Sequence, residues 1–321
     1  MLDRIIAPIY PQIECFEERL KQVLTSDVSL VHSMAGHLLE NRGKHFRPAL
    51  SLLTAQALGG CSEEVIDAAV GIEVIHLAAL IHDDVIDSAE MRRGAKALNF
   101  QWGNHAAVLM GDFLLAKALQ VLVDLGSLEV MDVATRATRY LIEGEILEIQ
   151  TGGETEVAVY FNMIDKKTAS LITLACEVGA ILGGGTHEQI AQMSNFGKEV
   201  GIAFQITDDL LDFIGDEKVL GKPVGNDVRE KKLTLPLLRA LHNCRNGEAR
   251  HIRIKVREGI KTEDDWQEIL QFIHRYGGIE EARAEALAYT RSALKNLGGL
   301  QGSEARTALE LAAQHVVERK Q

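Results

Sequence analysis

Five stretches of the chain, residues 63–90, 104–125, 130–150, 164–182 and 188–213, carry apolar residues at intervals of three and four. That period lays one apolar stripe along an α-helix and scatters it over both faces of a strand, so the spacing predicts long helices. Glycine pairs and triplets at 59–60, 152–153, 183–185, 277–278 and 298–299 punctuate the pattern, where a left-handed cap or tight turn ends a helix. No interval offers the strand–helix–strand alternation of a parallel sheet. The expected fold is therefore all-α. With no Pro/Ser-rich linker and no shift of composition, residues 1–321 read as a single domain, one large helical bundle.

Composition excludes several functions. A net charge of -12 argues against a generally basic nucleic-acid surface. The four cysteines, Cys15, Cys61, Cys176 and Cys244, include no close pair, which suggests neither a zinc site nor a disulfide framework. The first twenty residues contain acids and no apolar run of signal-peptide length, and no stretch approaches eighteen consecutive apolar residues. A cytoplasmic chain without a transmembrane segment is the expectation.

One acidic pattern occurs twice, as Asp83-Asp84-Val85-Ile86-Asp87 and as Asp208-Asp209-Leu210-Leu211-Asp212. With 17 aspartates among 321 residues, two such motifs would rarely arise by chance. On a helix the first and last carboxylates share a face and the middle one stands about 100° away. A third acidic cluster, Asp264, Asp265 and Glu268 after Thr262, has a structural explanation: an N-cap with acids in the first turn, favoured by the helix dipole. The two repeated motifs sit late in apolar helices, where like charges repel and desolvation is costly, so a cation is required. Hard divalent ions, Mg²⁺ first, suit paired carboxylates that leave coordination sites for water and phosphate oxygens.

Basic residues cluster in the same regions. Lys44 and Arg47 flank a turn between Gly43 and Pro48, and Arg92 and Arg93 come about one helical turn beyond Asp87. Lys167 precedes Thr168, while Lys222, Lys231 and Lys232 follow the second motif. His76 lies seven residues before Asp83, about 10 Å along one face, and Gln205 three residues before Asp208.

These residues, from about Gly43 to Lys232, together with the segment Tyr276-Gly277-Gly278-Ile279-Glu280-Glu281, resemble the trans-isoprenyl diphosphate synthases, or polyprenyl synthetases. The resemblance implies the isoprenoid synthase fold around a central apolar cavity. It implies that isopentenyl diphosphate is condensed with an allylic diphosphate. Asp83, Asp84, Asp87, Asp208, Asp209 and Asp212 would then bind three Mg²⁺ ions, with Mn²⁺ as the alternative metal. Arg92, Lys167, Lys222 and Lys232 would grip the allylic diphosphate, with Lys232 preferred to Lys231. Lys44, Arg47, His76 and Arg93 would hold isopentenyl diphosphate, and Thr168 and Gln205 would stand beside the carbocation. The family implies a homodimer, and an apolar product suggests peripheral contact with a membrane.

Product length should depend on bulk below the first motif. Ala78 and Ala79 stand five and four residues before Asp83, roughly 6 to 8 Å deeper along the helix, and are methyl groups where an aromatic ring would stop a growing tail. The expected product has about thirty carbons or more, octaprenyl being favoured, with a tunnel floor near Met110, Leu114 or Ile146; the likeness is to synthases of quinone side chains. A shorter-chain synthase, or the catalytic subunit of a heteromer, is the alternative. Terpene cyclases and squalene-type synthases do not account for a second full acidic motif, and a His-Asp phosphohydrolase built on His82-Asp83 leaves that motif and the Lys44–Arg47 turn unexplained.

Overall fold

The computed structural model describes residues 1–41, 43–151, 155–215 and 224–319. Its helices run α1 (Leu2–Ile6), α2 (Tyr10–Val23), α3 (Ser29–Glu40), α4 (Phe46–Leu58), α5 (Glu63–Ile86), α6 (Leu98–Trp102), α7 (Asn104–Asp124), α8 (Leu128–Thr151), α9 (Val157–Ile164), α10 (Ser170–Leu182) and α11 (His187–Ile214). They continue as α12 (Asn226–Arg229), α13 (Leu235–Asn243), α14 (Glu248–Glu258), α15 (Glu263–Arg275), α16 (Gly278–Asn296) and α17 (Glu304–Glu318). The fold is all-α, as the apolar period requires. Its one extended element among the described residues is a two-stranded hairpin, β1 (Met91–Arg92) with β2 (Ala95–Lys96).

By their internal contacts the residues group into two compact units. The first comprises residues 1–138, 171–194 and 297–312. Its axis is α5, buried on almost all sides: Val65, Ile66, Val70, Ile72, Val74, Ile75 and Ile81 are all at most 4% exposed. Helix α7 lies along it, with Leu122 over Gly71 and the His82 imidazole over Gly111. Both α5 and α7 are long and apolar enough to cross a membrane by length and composition, although 72% of the α5 window is buried and only 33% of that in α7.

The second unit comprises residues 139–170, 195–296 and 313–321. Its core gathers Tyr160, Ile164, Ile206, Leu210, Phe213, Leu235, Leu238 and Phe272, with the Phe213 and Trp266 rings stacked 5.8 Å apart. Thr262 begins α15 with a capping box: its hydroxyl accepts from the Asp265 amide at 3.2 Å, and the Asp265 carboxylate accepts from the Thr262 amide at 3.0 Å. That third acidic cluster is a helix start, as its spacing suggests.

Candidate active site

In the first unit α5 stops at Ile86, and Asp87 is its C-cap. The expected helix to residue 90, with Arg92 and Arg93 a helical turn beyond Asp87, is not formed. Ser88 takes a φ of 52°, and the chain turns back through the hairpin, whose connecting residues Arg93 and Gly94 have φ of 53° and 80°. Positive φ at both central positions matches the right-handed twist of the paired strands. The hairpin folds Arg92 back onto the motif. Its Nε donates to Asp84 Oδ1 at 2.7 Å and its Nη2 bonds the same oxygen. Asn99 secures the junction, its amide donating to the Asp84 and Ala89 carbonyls, each at 3.0 Å.

The three carboxylates therefore differ. Asp84 is 4% exposed, while Asp83 is half-buried and Asp87 exposed. Burial raises the Asp84 pKa, with the paired Arg92 opposing that rise.

Behind Asp83 lies a cationic cluster. Arg93 abuts Gly43, where a side chain would meet the guanidinium at 2.7 Å. Lys44 is exposed beside it, and His45, at φ 50°, starts α4 with its imidazole 3.7 Å from Glu73 and 3.9 Å from Glu17. Burial pushes His76 down to about 3, and Arg47 adds to the shift. The imidazole is neutral at any working pH, able to donate one hydrogen bond without competing for charge. Glu73 is 3% exposed, and burial alone would raise its pKa, but His45, His76 and Arg47 hold it at about 2. An anion in the middle of an apolar helix carries the same anomaly as the aspartates, and that signal singles out Glu73 in the sequence too.

Below the motif, Ala79 is half-buried and shares the helical face of Asp83 to within about 40°. Ala78 is 3% exposed and lies on the side of Gly71 and His82, the residues that meet α7. Leu77, Leu80 and Ile81 line a cavity of about 40 Å³ beside Asp84, Arg92 and Arg93. Met110 and Leu114 are buried, whereas Ile146, in the second unit, is 57% exposed.

The second motif, on α11, is divided in the same way. Asp208 is half-buried, its side chain 44% exposed, and Arg319 reaches its Oδ1 at 2.8 Å. Arg319 also donates to the Phe204 carbonyl at 2.7 Å and lies over the Phe204 ring. Asp209 is 3% exposed, with one carboxylate oxygen accepting from the Tyr160 hydroxyl and the other from Gln205 Nε2 at 2.8 Å. Burial, with Asp208 beside it, pushes the Asp209 carboxyl up. Asp212 is 2% exposed and accepts from the backbone amides of Asn226 and Asp227 at 3.2 and 3.0 Å.

A cavity of about 140 Å³ opens beside Asp209, lined among others by Lys167, Thr168, Gln205, Asp227 and Lys232. Thr168 donates to Gln205 Oε1 at 2.6 Å, which joins Thr168, Gln205, Asp209 and Tyr160 in one hydrogen-bonded chain. Lys167 bonds Glu145 at 2.8 Å and Glu148, and Glu148 also pairs with Lys232 at 3.3 Å. Lys231, by contrast, is exposed at φ 66° and does not line this cavity. Lys222 lies outside the described residues. Tyr160, Glu145, Glu148 and Arg319 carry no local pattern that marks them; they are recruited from distant segments.

The six aspartates expected to bind metal ions are not alike in their surroundings. Asp84, Asp209 and Asp212 are buried and accept from protein donors, Asp84 through one oxygen, whereas Asp83, Asp87 and Asp208 are the more solvent-reaching carboxylates, Asp208 with Arg319 at its Oδ1. Among the described residues no three Asp, Glu, His or Cys side chains form a ready-made cage. Exposed carboxylates that supply only part of a coordination shell fit a hard divalent ion completed by water and phosphate oxygens.

The family profile described as polyprenyl synthetase matches residues 28–273. A short chain isoprenyl diphosphate synthase of Methanothermobacter thermautotrophicus is 38% identical over 315 residues, 96% of each chain. The octaprenyl diphosphate synthase of Escherichia coli is 36% identical over 298 residues, 92% of each chain. Among solved structures, a polyprenyl synthase from Caulobacter crescentus complexed with calcium and isoprenyl diphosphate aligns with a TM-score of 0.94 at 32% identity, over 100% of this chain and 98% of that one.

Proposed function

The chain belongs to the polyprenyl synthetase family and is a trans-prenyl diphosphate synthase; from that premise we propose that it extends farnesyl or geranylgeranyl diphosphate with isopentenyl diphosphate to an all-trans product of about thirty carbons or more, octaprenyl being favoured. The observation that carries this reading of length is the methyl group of Ala79 on the face below Asp83, where the tail must pass. The relatives span short-chain and octaprenyl products, so family membership leaves length to such side chains. Quinone side-chain synthesis in the cytoplasm, with release of the apolar product at a membrane surface, is the setting that such a product suits.

Asp83, Asp87 and Asp208 would hold the divalent ions, Mg²⁺ foremost and three by family likeness. When bound, these supply positive charge against the departing diphosphate. The chain's own cations add to that charge, Arg92 in the first unit and Lys167 and Lys232 in the second. Glu148 bridges the two lysines and orients both toward one site. Lys44, Arg47, neutral His76 and Arg93 would bind the diphosphate of the acceptor. The Thr168 hydroxyl, fixed by its donation to Gln205, keeps oxygen lone pairs for the allylic cation. The double bond of isopentenyl diphosphate attacks that cation, and a proton leaves to the released diphosphate.

The purified chain alone, given farnesyl diphosphate, labelled isopentenyl diphosphate and Mg²⁺, is expected to form product at or beyond about thirty carbons. Product that stops at fifteen or twenty carbons would reject the length assignment; no incorporation at all would reject self-sufficiency and favour a heteromer.

A homodimer is part of the same proposal. Val108, Leu109, Leu119 and Val123, 39%, 68%, 38% and 57% exposed, fall within an arc of about 100° on α7 and leave an apolar stripe in water. Analytical ultracentrifugation is expected to give a dimer, and Leu109→Asp a monomer. A monomeric wild type at micromolar concentration would refute this.

A further inference from the structure

Residues Asp165–Ala169 form a π-helical turn between α9 and α10, and it carries Lys167 and Thr168. Single π turns are uncommon and concentrate at functional positions, because the widened ring must be held by its surroundings. Here its polar side chains are anchored from two helices. From α8, Glu143 takes Lys166, and Glu145 and Glu148 take Lys167. From α11, Lys198 donates to Asp165 at 2.7 Å and Gln205 accepts from Thr168.

At the point of closest approach on each side stands a glycine. A Cβ on Gly144 would lie 2.4 Å from the Lys167 amide nitrogen and 2.7 Å from its Cα. A Cβ on Gly201 would lie 2.6 Å from Ala169 Cα and 2.7 Å from its Cβ. Ordinary contacts begin at 3.4 Å, so either methyl forces the turn to retreat by most of an ångström. Neither glycine adopts positive φ, so backbone conformation does not require them. Glycine weakens a helix interior relative to alanine, which leaves close approach as their physical purpose.

We propose that Gly144 and Gly201 are positioning residues: they let α8 and α11 close on the π turn and so fix the Lys167 ammonium and the Thr168 hydroxyl relative to the reacting diphosphate. The inference rests on the assignment of Lys167 and Thr168 made above. Reacting groups tolerate little displacement, and a shift near 1 Å costs up to about 100-fold in rate.

The test is a pair of double-mutant cycles, Gly144→Ala with Lys167→Ala and Gly201→Ala with Thr168→Ala, in the full chain with kcat, KM and thermal unfolding measured. Each glycine variant is expected to keep its unfolding transition and lose roughly tenfold to 100-fold in kcat. KM for isopentenyl diphosphate should not move, because Lys44, Arg47, His76 and Arg93 are untouched. In the background lacking the positioned side chain, the same glycine substitution should cost no more than about threefold, since contacting residues couple and independent ones add. A folded glycine variant with wild-type kcat, or one whose deficit is undiminished in that background, overturns the proposal. So does loss of folding in both glycine variants, which would assign the glycines to the fold. An inactive wild-type chain would instead count against the self-sufficiency on which the proposed function rests, and not against the glycines.

Discussion

Asp208→Asn is expected to lower kcat by about a thousandfold or more and to raise the Mg²⁺ concentration needed for half-maximal rate, and Asp83→Asn to do the same. Asp208 is 44% exposed and Asp83 half-buried, so both reach solvent, and an amide of the same shape removes the charge that a divalent ion needs. Asp209→Asn is the informative companion. Its two oxygens already accept from Tyr160 and Gln205, and an amide leaves one of those donors facing an N–H. The cost should fall on stability, seen as a lowered melting temperature, with the Mg²⁺ dependence near that of the wild type. Activity of Asp208→Asn within tenfold of wild type would sink the division of the motif, as would a larger Mg²⁺ shift in Asp209→Asn.

Ala79→Phe is expected to shorten the product to roughly fifteen to twenty carbons while leaving the rate of the first condensations nearly unchanged. The ring would enter the helical face below Asp83, about 6 Å from the motif, a depth reached by the first few isoprene units. Ala79 is none of the charged side chains assigned to the diphosphates, so chain length should change before turnover does. An unaltered product ladder on thin-layer chromatography would refute the tunnel argument. Ala78 differs, being 3% exposed on the side that meets α7, so a ring there must first displace packing at a cost of about 1–3 kcal/mol.

How much of the site was legible follows from how local each signal is. The repeated acidic motif stood out because three carboxylates in an apolar helix violate the burial rule within five residues. Arg92 and Arg93 are marked by their proximity to the motif, but their route back to it is not. The hairpin depends on positive φ at Arg93 and Gly94, and the basic residues alone suggested a continuing helix. Tyr160 is 49 residues from Asp209 and Arg319 is 111 residues from Asp208, separations over which no periodicity operates.

The sequence by itself determined an all-α chain, two acidic motifs on helices and the family they belong to, because apolar period and charge in apolar surroundings are properties of short windows. Tertiary structure alone decided how far each aspartate is enclosed. That choice depends on donors arriving from elsewhere: Arg92 from the hairpin, Tyr160 from α9, backbone amides from α12. A carboxylate enclosed by protein donors is held in place, and one nearer solvent is less enclosed; the same residue type takes both environments, and only the folded chain distinguishes them.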